Sequence, residues 1–424
     1  MYIPAASIAH NQRMTLRERT AALARPALVV VGGLAALGLA LVALGALAPA
    51  LPLLGLAGRW HVLTLGGWGA AAGLALAAGL AGLARGGRRS SARLAGRAGR
   101  RVTAGLAALA LIASSVLASA LATTASFAAA QGATVSAFGF ASGGPSLSAA
   151  PDASQVYLVD DDGRELRVDV YLPGSAAPRE PLPAVVVVHG GGWMLHDRTR
   201  QSDSLRRLAD SGLVVLAIDY TLATRNRPTW NIAGDQVACA LVWTAEHADR
   251  YGVDARRIVL AGSSAGGGLA LTTGYRAAAG TATSACGGAV PVPAGVAGAV
   301  PVVDPAGFHA NPDPFMSRYS RTMTERYLGG APGEHPDRIA ATTTLTHLAA
   351  DAPPTLLLTV EHDHLVPADG ARELAAAALA LGVPVERVEV PFADHGVLVP
   401  STGVGASIWR AALLRFALDV DPVG

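Results

Sequence analysis

The chain has no lysine, two cysteines, and a single acidic residue in its first 130 positions. Without lysine, all 33 basic residues are arginine, which together with abundant alanine and glycine fits a bias toward GC-rich codons. Two cysteines in separate elements set no disulfide framework. Cys239 lies within an apolar helical pattern and reads as a buried free thiol, although an oxidising compartment would allow it to pair with Cys286. The scarcity of acids is local. Residues 1–130 hold twelve Arg and Glu18, a net +11, and the remaining residues hold 21 Arg and 30 acids, a net −9. Because the basic charge lies between apolar stretches and the second half is acidic, nucleic-acid binding is excluded. His362 and His364 flank Asp363, but no third or fourth ligand stands at a metal-binding spacing, so no metal site is expected.

Three long uncharged stretches are present instead: Ala27 to Gly58, Val62 to Ala84, and Val102 to about Ala130. Each exceeds the roughly 20 apolar residues that cross a bilayer. Transmembrane helices are expected over about 27–48, 62–84 and 102–126, with Pro49 and Pro52 marking a short outer turn. Frequent glycine and alanine suit close helix approach in lipid. Arg13, Arg17, Arg19 and Arg25 precede the first span, and seven arginines from Arg85 to Arg101 separate the second from the third. The turn between spans one and two holds only Arg59. The positive-inside rule then places the N-terminus and the Arg-rich loop in the cytoplasm and everything after residue 130 outside. Trp60 and Trp68 fall near the outer interface. The spans lack internal charges that would mark a transport route. Small residues from Leu121 to Ala128 resemble a cleavage site, but retention of the third span as an anchor is the expectation. Residues 131–153, rich in Gly, Ser, Ala and Pro, read as a flexible linker.

From residue 154 to 424 the pattern alternates. Gln155 to Val159 and Glu165 to Leu172 flank Asp160-Asp161-Asp162-Gly163, a hairpin pattern. Ala184–Val188, Leu213–Ile218 and Thr355–Val360 read as buried strands, and Arg257–Ala261, Val296–Val303 and Val385–Val390 as further strands. Helical patterns cover Leu205–Ala209, Ile232–Tyr251, Ala368–Leu381 and Ser407–Leu418. This alternation predicts an α/β domain, a mostly parallel sheet with helices on both faces. Reactive groups then collect beyond the carboxyl ends of the strands.

Gly262-Ser263-Ser264-Ala265-Gly266 lies between an apolar strand and a helix start, the form of a nucleophile elbow at Ser264. A serine nucleophile needs a base, an orienting acid and oxyanion donors. His189-Gly190-Gly191-Gly192-Trp193 follows a central strand, so the amides of Gly191 and Gly192 are candidate oxyanion donors, with Ala265 beside the serine as a third. On the loop Glu361-His362-Asp363-His364, Asp363 is the leading acid candidate, Glu361 the second, and Asp304 a weaker third at another strand end. His395, after the last strand, is the candidate base. His189 reads as shaping the glycine loop, and Asp219-Tyr220 as anchoring its neighbours.

Together these residues resemble the hormone-sensitive-lipase-like branch of the α/β-hydrolase fold, the bacterial esterases with an HGGG motif. The resemblance covers about residues 155–420 and includes Asp219-Tyr220 and Tyr251 through Ile258. It implies the α/β-hydrolase fold, a triad of Ser264, Asp363 and His395, and an oxyanion hole of Gly191, Gly192 and Ala265. It also implies a small-molecule or lipid ester as substrate, hydrolysed through an acyl-enzyme without a cofactor. Thr221-Leu222-Ala223-Thr224 after Asp219-Tyr220, and Val397 after His395-Gly396, depart from the family pattern at the pocket wall. The membrane region has no counterpart in the typical soluble esterase. Residues 305–346, with Phe308, Phe315, Met316, Tyr319 and Tyr327, are expected to cover the site. The expected activity is that of a carboxylesterase or lipase at the cell membrane. Alternatives are a cell-surface acyltransferase with the same triad, a peptidase, disfavoured by the lack of a propeller-like domain, and a non-catalytic tethered binding protein.

Overall fold

A computed structural model describes residues 16–86, 93–138, 149–174 and 180–423. Its first elements are three long helices, α1 (Leu16–Leu47), α2 (Pro52–Gly86) and α3 (Arg93–Ala130). Over Ala24–Leu47, Pro52–Arg85 and Gly96–Ala130 they are long and apolar enough to cross a membrane. α2 begins ten residues before the expected span, at Pro52. Proline suits a first helical position, where its missing N–H has no partner to lose. Arg59, expected in a turn, is therefore helical, and it is 1% exposed.

After residue 149 the elements are β1 (Ala153–Val159), β2 (Glu165–Tyr171), β3 (Leu182–Val188), α4 (Ser202–Ala209), β4 (Val214–Ile218), α5 (Ala233–Glu246), α6 (Ala248–Tyr251) and β5 (Val253–Ser263). They continue with α7 (Ala265–Ala278), β6 (Gly295–Ala299), α8 (Pro305–His309), α9 (Ser317–Leu328), α10 (Pro336–Thr342), β7 (Thr355–Val360), α11 (Asp369–Ala380), β8 (Val385–Val390) and α12 (Val404–Asp419). The strands form one sheet in the order β1-β2-β4-β3-β5-β6-β7-β8. β1, β2 and β4 pair antiparallel, and every pairing from β4 to β8 is parallel. At the β1–β2 hairpin, Asp160 Oδ1 accepts from the amides of Asp162 (3.0 Å) and Arg164 (2.9 Å).

Alternate residues of the central strands enter two different cores, as a pleated strand requires. Val186, Val188, Leu216 and Leu260 pack with α5, α7 and α11, whereas Val185, Val215 and Val259 pack with α4 and α12. The second core also takes in Leu63 of α2, Ala128 of α3 and Ala133. The apolar helices are thus joined to the sheet domain through shared packing. The expected linker starts docked: Arg415 donates to the Gln131 carbonyl at 3.1 Å. Residues 139–148 of that linker lie outside the described residues.

Three local expectations change. The strand expected over Val296–Val303 stops at Ala299, because Val300 turns to φ +43° ahead of Pro301. The helix expected over 232–251 breaks at His247. Cys239 is not a free thiol. It pairs with Cys286, their Cα atoms 5.4 Å apart and 47 positions apart in sequence. A buried sulfur in an apolar helix looks alike in sequence whether reduced or paired, and the partner comes from a loop without periodicity. On chain-entropy grounds a loop of that size is worth about 4 kcal/mol. Reductant should therefore lower the denaturant midpoint of the purified chain, and thiol titration of the unreduced, unfolded chain should find no free thiol. Two titratable thiols would contradict the pair.

Candidate active site

β5 passes directly into α7 through Ser264, which holds φ +53° and ψ −125°. That conformation is costly for a side-chain-bearing residue, roughly 1–3 kcal/mol, and persists only where its surroundings fix it. The amide of Ser264 donates to the Ala299 carbonyl at 2.8 Å, and its own carbonyl accepts from Gly268 (3.1 Å) and Val302 (3.0 Å). Small neighbours are required by contact. A Cβ on Gly262 would stand 2.3 Å from the Gly266 carbonyl oxygen, and one on Gly266 2.2 Å from that of His189.

β3, beside β5 in the sheet, ends at the glycine loop. A Cβ on Gly190 would lie 3.2 Å from Ser264 Cβ, so the loop runs directly past the serine. Among the described residues the amides of Gly191 and Gly192 donate to no other group. Ala265 opens α7, where an amide has no intrahelical acceptor. The loop is braced from behind. His189 Nδ1 lies 2.8 Å from the Gly190 carbonyl oxygen, its ring stacks on Tyr220 at 4.4 Å, and the Tyr220 hydroxyl donates to the His189 carbonyl at 3.2 Å. Burial holds the His189 imidazole below its ordinary pKa, against that carbonyl, so it stays neutral. Asp219 pairs with Arg198 at 2.8 Å and takes the Arg198 amide at 3.0 Å, tying down the segment after the glycine loop.

The loops after β7 and β8 bring the other groups. His395 Nε2 lies 3.0 Å from Ser264 Oγ, and His395 Nδ1 lies 2.8 Å from Asp363 Oδ2. Asp363 Oδ1 accepts from the amides of Leu365 (2.9 Å) and Val366 (2.7 Å), which fixes the carboxylate. The other acid candidates are engaged elsewhere. Glu361 pairs with Arg59 at 3.2 Å, and Asp304 caps α8 through the amide of Ala306 at 3.0 Å. His364 pairs instead with Asp394, both side chains buried. Asp394 Oδ1 also accepts from the amides of His364 (3.0 Å) and His395 (2.7 Å). Burial opposes charge on His364, but the Asp394 carboxylate outweighs it and raises the imidazole pKa. Asp394 is absent from the sequence's candidates, and Arg59 stands there only as a turn residue. The available signals were the lone charge in the first turns of an apolar helix and an acid directly before the histidine.

A cavity of about 220 Å³ opens in front of Ser264, lined by the glycine loop, Leu195, His196, Arg200, Val300, Met323, Leu365, His395 and Leu398. Of the expected covering segment, Met323 reaches it: a Cβ on Gly192 would stand 2.2 Å from Met323 Sδ. Phe308 and Tyr327 are buried instead around Trp193, the Tyr327 ring stacked on it at 4.2 Å. Phe315 and Tyr319 are exposed and absent from the cavity wall.

A family model described as BD-FAE matches residues 168–378. The carboxylesterase NlhH of Mycobacterium tuberculosis is 31% identical over 59% of this chain and 78% of its own length. Esterase LipQ of the same species is 27% identical over 57% of this chain, which spans only 56% of that relative. Among solved structures, esterase LipW of Mycobacterium marinum superposes with a TM-score of 0.50 at 26% identity, covering 71% of this chain and 87% of LipW.

His395 is mostly buried, which disfavours its charge, yet the adjacent Asp363 carboxylate, helped by Asp394, raises its pKa above the ordinary imidazole value. In the histidine-labelled chain followed by NMR, His395 should titrate above about 6.5. Asp363→Asn should move that titration downward. A midpoint unchanged by the substitution would contradict the pairing.

Proposed function

The chain belongs to the hormone-sensitive-lipase-like branch of the α/β-hydrolase fold, and from that premise we propose that it is a membrane-held serine carboxylic-ester hydrolase. The observation that carries the reading is the hydrogen-bonded line Asp363–His395–Ser264, ending at a cavity beside the glycine loop. In the reaction, His395 Nε2 takes the proton of Ser264 Oγ as that oxygen attacks the ester carbon. The amides of Gly191, Gly192 and Ala265 receive the oxyanion, at a helix N-terminus whose dipole favours negative charge. Asp363 holds the Nδ1–H tautomer and balances the imidazolium. His395 then returns the proton to the leaving alcohol, the acyl group stays on Ser264, and water activated by His395 releases the acid. No cofactor enters these steps.

The three apolar helices anchor the chain across a bilayer, with the Arg-rich segment around Arg85 to Arg101 in the cytoplasm and the sheet domain outside. The Cys239–Cys286 pair favours the same side, since disulfides persist in oxidising compartments. Residues 1–130 form the membrane unit and 154–424 the catalytic one in this reading.

With the full-length chain in lipid nanodiscs, p-nitrophenyl esters should be hydrolysed, and Ser264→Ala should reduce kcat by at least ~10³-fold. Full activity in that variant would remove Ser264 as nucleophile. Alkaline phosphatase fused after residue 423 should be active in cells, and the same enzyme fused after residue 90 inactive. The reverse pattern would overturn the orientation.

A further inference from the structure

We propose that the membrane helices position the catalytic loops, with Arg59 as the principal positioning residue; this rests on the hydrolase reading above. The guanidinium of Arg59 is 1% exposed, a costly placement for a cation unless partners surround it. Its partners come from both loops of the site. Nη1 donates to the carbonyl of Ala393 at 3.0 Å, two residues before His395. Nη2 pairs with Glu361 Oε2 at 3.2 Å, two residues before Asp363. The same Glu361 oxygen accepts from the amide of Phe392 at 3.0 Å, closing a ring of contacts across the two loops.

The histidine loop is held at neighbouring points as well. Phe392, at φ +52°, packs against the cluster formed by Ala43, Ala46, Val62, Ala113, Leu117 and Ala120 of the helix bundle. Trp60 lies against Gly396, where a Cβ would come within 2.8 Å of its ring. Thr124 of α3 reaches the Pro391 carbonyl at 3.5 Å. Four positions around His395 therefore rest on the apolar helices. Inside the domain, the Asp394–His364 pair links the same two loops. Arg59 adds the link from outside it.

A base held by two loops loses rate when either loop drifts, since a misplacement of about 1 Å costs on the order of 10²-fold. None of these contacts lines the cavity before Ser264, so binding of a short ester is independent of them. Loss of Arg59 loosens Asp363 from His395, which lowers the imidazole pKa.

The test uses the full-length chain in nanodiscs, with a short p-nitrophenyl ester as substrate. Arg59→Ala should lower kcat roughly 10- to 100-fold, leave KM within about twofold, and shift the acid limb of the rate profile to lower pH. Arg59→Lys, a point charge unable to serve both loops equally, should recover part of the rate. Glu361→Gln added to Arg59→Ala should cost little more. Wild-type kcat and acid limb in folded Arg59→Ala would overturn the proposal, as would a change confined to KM. Should that variant fail to fold, Phe392→Leu carries the same expectation and the same refutation. The NMR titration of His395 separates the two readings. If the wild type hydrolyses no ester, the hydrolase reading fails, while a fall of the His395 midpoint in Arg59→Ala still upholds the clamp, and an unmoved midpoint refutes it.

Discussion

The arrangement of the site depends on one close approach, that of Gly266 to the carbonyl of His189. There is no room for a Cβ between them, and this lets the first turn of α7 settle against the end of β3. Ser264 is thereby carried over the sheet edge, with the glycine loop immediately beside it. Parallel pairing of β3 with β5 sets the two chain ends at one level. The strained φ of Ser264 is held where its amide donates to Ala299 at the end of β6 and its carbonyl accepts from Val302 just beyond. A methyl group at position 266 would push Ser264 and the glycine loop apart, because both are fixed by the same contact.

Much of this was legible in the sequence, for definite reasons. Runs such as Val185–Val188 are too short for helices and too apolar for loops, so the parallel sheet followed from them. Pentapeptide and glycine triplet are local patterns, and both end strands. The relation among Ser264, Asp363 and His395 spans more than 130 positions and became visible through order along the chain and family resemblance. What stayed hidden is long-range. The Cys239 partner sits in a loop with no period. Arg59 looked like a turn residue because its carboxylate and carbonyl partners lie 302 and 334 positions away. Phe315 and Tyr319 looked like pocket aromatics, whereas the flexible thioether of Met323 fills the space over Gly192.

Two electrostatic layers surround the histidine. The nearer one, Asp363, raises the proton affinity of the imidazole against the cost of its burial. Behind it, Asp394 fixes the histidine backbone and pairs with the neighbouring His364. One residue step separates His364 from Asp363, and likewise Asp394 from His395, so the alternation of loop side chains sorts two acid–imidazole pairs into different surroundings. One faces the cavity before Ser264, and the other is buried, with His364 on the wall of a second cavity that Ala50, Pro52 and Asn311 also line.

If the three apolar helices cross a bilayer as proposed above, the packing of Phe392 against them also bears on where the site stands. An anchor joined by a free tether lets a site wander tens of ångströms above a bilayer and sample soluble substrates in every orientation. A site whose histidine loop is wedged between the anchoring helices has neither freedom. In that reading, its height above the lipid and its tilt would follow from the same contacts that hold the His395 loop. Substrate must come to a stationary mouth, and the encounter is one of a surface with whatever moves along it.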